Sequence, residues 1–89
     1  AYGRALENLT ESDHEHIALA AHGRGLMRFR LGRQEDAIKD FRLARQHAHA
    51  RADAEREADI LLDEATVLDW TMDYDQSASL VMAAAALPL

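Results

Sequence analysis

The segment from Gly25 to Ala44, GLMRFRLGRQEDAIKDFRLA, constrains the fold of this chain more than any other. An apolar run ends at Leu31 and Gly32, a short polar stretch follows, and a second amphipathic run begins at Asp36. Glycine after the last apolar residue ends a helix without a Cβ clash, and acidic residues favour the first turn of the next helix. The segment therefore predicts two helices joined by a tight turn.

Helical periodicity extends over the rest of the chain, which has one proline, four glycines and no cysteine. Apolar residues recur at spacings of three and four, the pattern of helices that bury one face. We expect an all-α fold of antiparallel helix–turn–helix hairpins with about five helices. The expected parts are an end helix over residues 1–10, a first hairpin over 13–52 and a second hairpin over 54–87.

Local signals give finer expectations about the helices. Ser12 or Asp13 is expected to cap the first long helix. Gly25 lies inside that helix, where we expect it to allow the close approach of a neighbouring backbone. The Ala-rich residues 46–54 permit either a continuous helix or a break near residues 51–54. We expect the buried face of the last helix to consist of Leu80, Val81 and Ala84.

Charge and hydropathy exclude several classes of partner. Residues 1–52 carry nine basic and seven acidic side chains, whereas residues 53–89 carry one and nine. The acidic second half argues against nucleic-acid binding, because phosphate contacts need clustered Lys and Arg. No apolar run approaches the roughly 20 residues that span a bilayer, so we expect no membrane partner and a cytoplasmic location.

The titratable side chains do not predict a catalytic or metal site. His14 and His16, like His47 and His49, lie two residues apart and would point to different sides of a helix, which makes a poor chelate. We therefore expect exposed histidines, no metal and no cofactor. The acidic and basic side chains are expected to form solvated helix faces; they include Arg24, Arg28, Asp40, Arg42, Arg45, Asp63, Glu64, Asp69 and Asp73.

The Gly25–Ala44 hairpin resembles the tetratricopeptide repeat, a family of stacked helical hairpins with a period of about 34 residues. Its small, aromatic and turn positions fall on Gly25, Phe29, Gly32, Ala37, Phe41 and Ala44. The second hairpin resembles the repeat at Leu61, Ala65, Leu68, Ser77, Val81 and Ala84, with Met72 in place of the turn glycine. Ala37 and Ser77 are 40 residues apart, so about six extra residues would lie near residues 46–54.

The resemblance implies a function and a set of binding residues. In tetratricopeptide proteins the first helices of successive repeats line a groove that holds an extended peptide or a partner helix. The corresponding positions here are His22, Leu26, Phe29, Arg30, Leu62, Thr66, Asp69 and Trp70. The sequence is compatible with either a core or a groove position for Phe29 and Trp70.

We expect a non-catalytic protein–protein interaction or scaffold module that binds a protein or peptide. The sequence LLDEATVLDW followed by DYDQSA also resembles repeat regions of large bacterial signalling proteins. One alternative is a helical domain that self-associates through its exposed end faces. A second alternative is a metal-binding protein that depends on the histidine pairs.

Overall fold

The structure is a computed structural model that describes residues 10–88. These residues form four helices and no strand: α1 (Glu11–Arg30), α2 (Gln34–Ala50), α3 (Ala54–Trp70) and α4 (Tyr74–Ala85). Each helix packs against the next one along the chain, and α1 also touches α3. The all-α prediction is confirmed. The predicted end helix over residues 1–10 lies, apart from Thr10, outside the described residues.

The first helix is capped by Thr10, so the prediction of Ser12 or Asp13 was wrong. The Asp13 N–H donates to the Thr10 side-chain oxygen at 3.1 Å, and the Thr10 N–H donates to the Asp13 carboxylate at 3.2 Å. This reciprocal pair satisfies two of the N–H groups that a helix start leaves free. The helix therefore begins two residues earlier than a cap at Ser12 would allow.

The three turns between helices share one geometry. Their left-handed residues are Gly32, Ala52 and Met72, with φ values of 80°, 58° and 63°. In the last turn the Met72 N–H donates to the Asp69 carbonyl at 3.0 Å, and the next N–H donates to the Leu68 carbonyl at 2.9 Å. The other two turns repeat this pattern, which is the Schellman motif. The helix break near residues 51–54 is thus a tight turn.

Replacing Met72 with glycine should stabilise the protein. A side chain in the left-handed region costs about 1–2 kcal/mol, while the extra backbone freedom of glycine offsets part of the gain. We expect Met72→Gly to raise the free energy of unfolding by about 0.5–1 kcal/mol, measured by urea denaturation. Gly32→Ala, the reverse change in an equivalent turn, should lower that free energy. A loss of stability in Met72→Gly would contradict this account of the turn.

The equal spacing of the turns makes the α3–α4 hairpin correspond to the α1–α2 hairpin at an offset of 40 residues. Many positions are buried in both hairpins. They are Ala18 and Ala58, Ala21 and Leu61, Gly25 and Ala65, Ala37 and Ser77, Asp40 and Leu80, and Ala44 and Ala84. The two hairpins therefore use the same faces for packing, although few of their buried residues are identical.

Gly25 is explained by a side chain and not, as we expected, by a neighbouring backbone. A Cβ built on Gly25 would lie 2.7 Å from Cε1 of Phe41, whose ring is completely buried. The corresponding residues of the second hairpin are Ala65 on α3, which is larger than glycine, and Val81 on α4, which is smaller than phenylalanine. The glycine thus makes room for an aromatic ring between α1 and α2.

The third helix is the centre of the fold, because it contributes to two hydrophobic clusters. Ile60 and Val67 join Phe41 and the alanines of α1 and α2 in one cluster. Leu61 and Leu68 join Leu80 and other residues of α3 and α4 in the other. Packing against α2 and α4 therefore holds α1 and α3 in place.

The fourth helix packs on one side only within the described residues. Val81, predicted to be buried, is 45% exposed, and Met82 is 72% exposed. Their counterparts forty residues earlier are Phe41, which lies in a cluster with α3 residues, and Arg42, which pairs with α3. Val81 is exposed because no described helix occupies the corresponding place beside α4.

Candidate functional site

The eight residues predicted to bind a partner lie on α1 and α3, which make a limited contact with each other. We call these residues the α1–α3 face: His22, Leu26, Phe29, Arg30, Leu62, Thr66, Asp69 and Trp70. Two side-chain contacts cross it. His22 Nε2 lies 2.6 Å from an Asp63 carboxylate oxygen, and the rings of Phe29 and Trp70 meet edge to face at 6.3 Å. These contacts link the first helices of the two hairpins.

Burial divides the α1–α3 face into a supporting part and an accessible part. Leu26 and Phe29 are half-buried and pack against the cluster that contains Phe41. Leu62 and Trp70 are open to solvent, with 70% of Trp70 exposed. Phe29 is therefore partly a core residue, whereas Trp70 belongs to the surface.

The four polar residues of the face differ in whether they already form hydrogen bonds or ion pairs. His22 is half-buried against Asp63, and the Thr66 hydroxyl donates to the Leu62 carbonyl of its own helix at 3.0 Å. Arg30 and Asp69 are exposed and form no ion pair within residues 10–88. The two free charges lie at the end of the face that holds Trp70, so this end is the better suited to recognise a charged group.

A shallow pocket opens beside Trp70 at the turn between α3 and α4. We call it the Trp70 pocket; it has a volume of about 500 Å³ and is lined by Asp69, Trp70, Met72 and Tyr74. The resemblance stated from the sequence predicted Asp69 and Trp70 as binding residues but did not include Met72 and Tyr74. The signal that could have found these two residues is the segment WTMDY between α3 and α4. A tryptophan and a tyrosine flank this turn, and neither ring is buried.

Asp40 is buried, although the sequence placed it on a solvated face. Its carboxylate accepts hydrogen bonds from Arg24 at 3.0 Å and from Arg28 at 3.2 and 3.0 Å. A buried charge is tolerated when it is paired and hydrogen-bonded. Arg24 and Arg28 are thus explained as the partners of Asp40.

Glu64 is likewise buried and not part of a solvated face. Its carboxylate oxygens lie 3.2 Å from Arg45 and 3.5 Å from Arg42, but neither oxygen receives a well-aligned hydrogen bond. Burial raises the pKa of the Glu64 carboxyl above its usual value, and the two guanidinium groups only partly oppose that effect. This carboxylate joins α2 to α3 and has no access to a substrate.

His47 is buried, so the prediction of four exposed histidines was wrong. Its Nδ1 lies 2.9 Å from Nδ1 of His14, and the ring centroids are 5.1 Å apart. The two nitrogens therefore face each other, as in a hydrogen bond between imidazoles. Burial lowers the pKa of His47, and His14 lowers it further. Residues 10–88 contain no group of three or more His, Asp or Glu side chains that could hold a metal ion.

Comparisons with known proteins were made at three levels. A scan against protein-family models finds no match, and searches of characterised proteins and of solved structures find none either. Among residues 10–88, none of the helices is both long enough and apolar enough to cross a membrane. The function of the chain is therefore inferred from its own geometry.

Proposed function

We propose that this chain is a segment of a tetratricopeptide-like helical solenoid and that its α1–α3 face binds a peptide or a partner helix. The exposed indole of Trp70 against Phe29, at the junction of the two first helices, carries this proposal. Exposed aromatic residues on a rigid support are typical of the few residues that dominate binding energy at interfaces. The role is a non-catalytic interaction or scaffold function.

The correspondence at 40 residues supports the repeat assignment. A hairpin that buries one face against its neighbour leaves the first helices of successive hairpins adjacent, which is how solenoids form continuous binding surfaces. The period exceeds the family value of about 34 residues because each unit of helix and turn is 20 residues long here. A cytoplasmic location and membership of a larger bacterial signalling protein stay predictions from the sequence.

The test is selection of peptides from a random displayed library against the intact protein. We expect the selected peptides to lose at least about tenfold in affinity for Trp70→Ala, since truncation at an interface hot spot costs about 2 kcal/mol. Trp70 is largely exposed, so circular dichroism and thermal unfolding should change little. Met82→Ala on α4 is the matched control, because Met82 is equally exposed and lies on no part of the α1–α3 face. Peptides that bind both variants alike would contradict the proposal.

Self-association is a second candidate function, favoured by the exposed Val81 and Met82 on α4. An exposed apolar helix face is a common site of protein association. If it binds a second copy, the mass measured by light scattering should rise with concentration, and Val81→Asp should abolish that rise. A monomer mass at all concentrations would exclude self-association.

A further inference from the structure

We propose that the Trp70 pocket binds a cationic side chain, arginine or lysine, of the partner segment. The inference rests on the proposed function, because it assigns a chemical class to one residue of the peptide that the α1–α3 face would hold. The pocket is a separate site from the α1–α3 face, because Met72 and Tyr74 line the pocket and are not among the eight residues of the face. Three independent observations carry it: the lining, the charge and the position of the pocket.

The walls of the pocket suit a flat or alkyl cation. Trp70, Met72 and Tyr74 are each more than 60% exposed, so none of them is needed for the core. The faces of indole and phenol rings attract guanidinium and ammonium groups, and a thioether is a polarizable neighbour for the alkyl part of a side chain. Phe29 contacts Trp70 edge to face, which limits the indole to a defined orientation. The pocket therefore offers a preformed aromatic surface.

Among residues 10–88, Asp69 is the only charged side chain that lines the pocket, and Arg30, at the same end of the α1–α3 face, is not part of the lining. No Lys, Arg or His follows Arg56 in the sequence. The last turns of α1 and α2 carry basic side chains, whereas the last turn of α3 carries none. The partial negative charge of a helix C-terminus is therefore uncompensated beside the pocket. Asp69, which lines the pocket, adds a full negative charge without an ion pair among residues 10–88.

A side chain of a bound peptide fits these walls better than a metal ion. Hard cations such as Ca²⁺ need several oxygen ligands, and among residues 10–88 Asp69 is the only carboxylate that lines the pocket. Trp70 belongs both to the pocket and to the α1–α3 face, so a segment lying along Leu62 would extend toward Asp69. The expected partner segment combines apolar residues with a Lys or Arg at the end nearest the α3–α4 turn.

The single tryptophan of the chain makes a direct binding experiment possible. The probes are an acetylated and amidated peptide of alternating leucine and arginine, and its counterpart with citrulline, the uncharged isostere, in place of arginine. We expect the arginine peptide to change the Trp70 fluorescence and to bind roughly three- to tenfold more tightly than the citrulline peptide. The difference should shrink with added salt, because the site is exposed.

Variants then locate the effect. Asp69→Asn should remove most of the preference for arginine, whereas Asp59→Asn should retain it. Asp59→Asn makes the same change of net charge as Asp69→Asn. Asp59 is also exposed and lies on the same helix, but about 15 Å away along the helix axis. Equal loss in the two variants would overturn the inference, because it would show a general effect of charge.

The outcomes separate the pocket from the α1–α3 face. If both peptides bind equally and both weaken in Leu62→Ala, the cation inference is wrong and the face is supported. If the preference for arginine is lost in Asp69→Asn while Leu62→Ala has no effect, the pocket is supported and the proposed face is wrong. Binding of neither peptide would overturn the cation inference, and the library selection would still decide the proposed function.

Discussion

Gly25→Ala should destabilise the protein by about 1–3 kcal/mol, the usual cost of overpacking a core. The added methyl group would approach the ring of Phe41 to within 3 Å at two atoms. Phe41 is fully buried between α1 and α2, so its ring can move only by displacing other core side chains. The loss should exceed the gain of up to about 1 kcal/mol that alanine brings to a helix interior. Urea denaturation monitored by circular dichroism gives the measurement.

Gly23 provides the matched control for this substitution. It lies in the same helix, and a Cβ at Gly23 would meet no atom within 4 Å. Gly23→Ala should therefore raise the free energy of unfolding by about 0.5–1 kcal/mol. The double variant Gly25→Ala with Phe41→Leu should be less destabilised than the sum of its two single changes, because the smaller side chain removes the clash. Equal effects of the two glycine substitutions would show that Phe41 does not require Gly25.

Arg28→Leu should destabilise the protein by about 2–3 kcal/mol. Breaking a buried ion pair by removing one partner costs about 3–5 kcal/mol, and Arg24, 2.8 Å from the same carboxylate, reduces that cost here. The substitution copies the second hairpin, where Leu68 and Leu80 occupy the places of Arg28 and Asp40. It thus leaves Asp40 with an apolar neighbour and one guanidinium group. The free energy of unfolding in urea measures the loss.

The double variant Arg28→Leu with Asp40→Leu tests the pairing itself. Two apolar side chains reproduce the Leu68 and Leu80 arrangement, and replacing a buried ion pair with packed apolar residues is often neutral or stabilising. We expect the double variant to recover most of the stability that Arg28→Leu loses. If the double variant instead loses as much stability as Arg28→Leu and Asp40→Leu lose together, Arg28 and Asp40 act independently.

The helices were predictable from the sequence because each one buries apolar residues that recur every three or four positions. The turn at Gly32 was predictable as well, since glycine signals a left-handed residue. Ala52 and Met72 adopt the same conformation without that signal. No local pattern in the sequence therefore marks these two residues as left-handed. The equal spacing of the turns was visible only once their positions were known.

The buried titratable side chains were not predictable, because each is paired with a residue on another helix. The pattern of each helix considered alone predicts that Asp40 and Glu64 lie on the surface. Arg24 and Arg28 read as a cluster with no evident partner, since Asp40 follows 16 and 12 residues later. His47 reads as one of a pair with His49, although its contact is with His14 on α1. Only the crossing of the helices brings these groups together.

The pattern of helix contacts also determines how the chain can fold. Apart from the limited contact of α1 with α3, each helix touches only its neighbours along the sequence. Proteins with such a low contact order fold quickly, and stacked hairpins can nucleate at more than one place. Amide hydrogen exchange should then be slowest in α2 and α3, which each have neighbours on both sides, and fastest in α4, which within residues 10–88 has one. The helix that opens first under native conditions would thus be α4, which contributes no residue to the α1–α3 face.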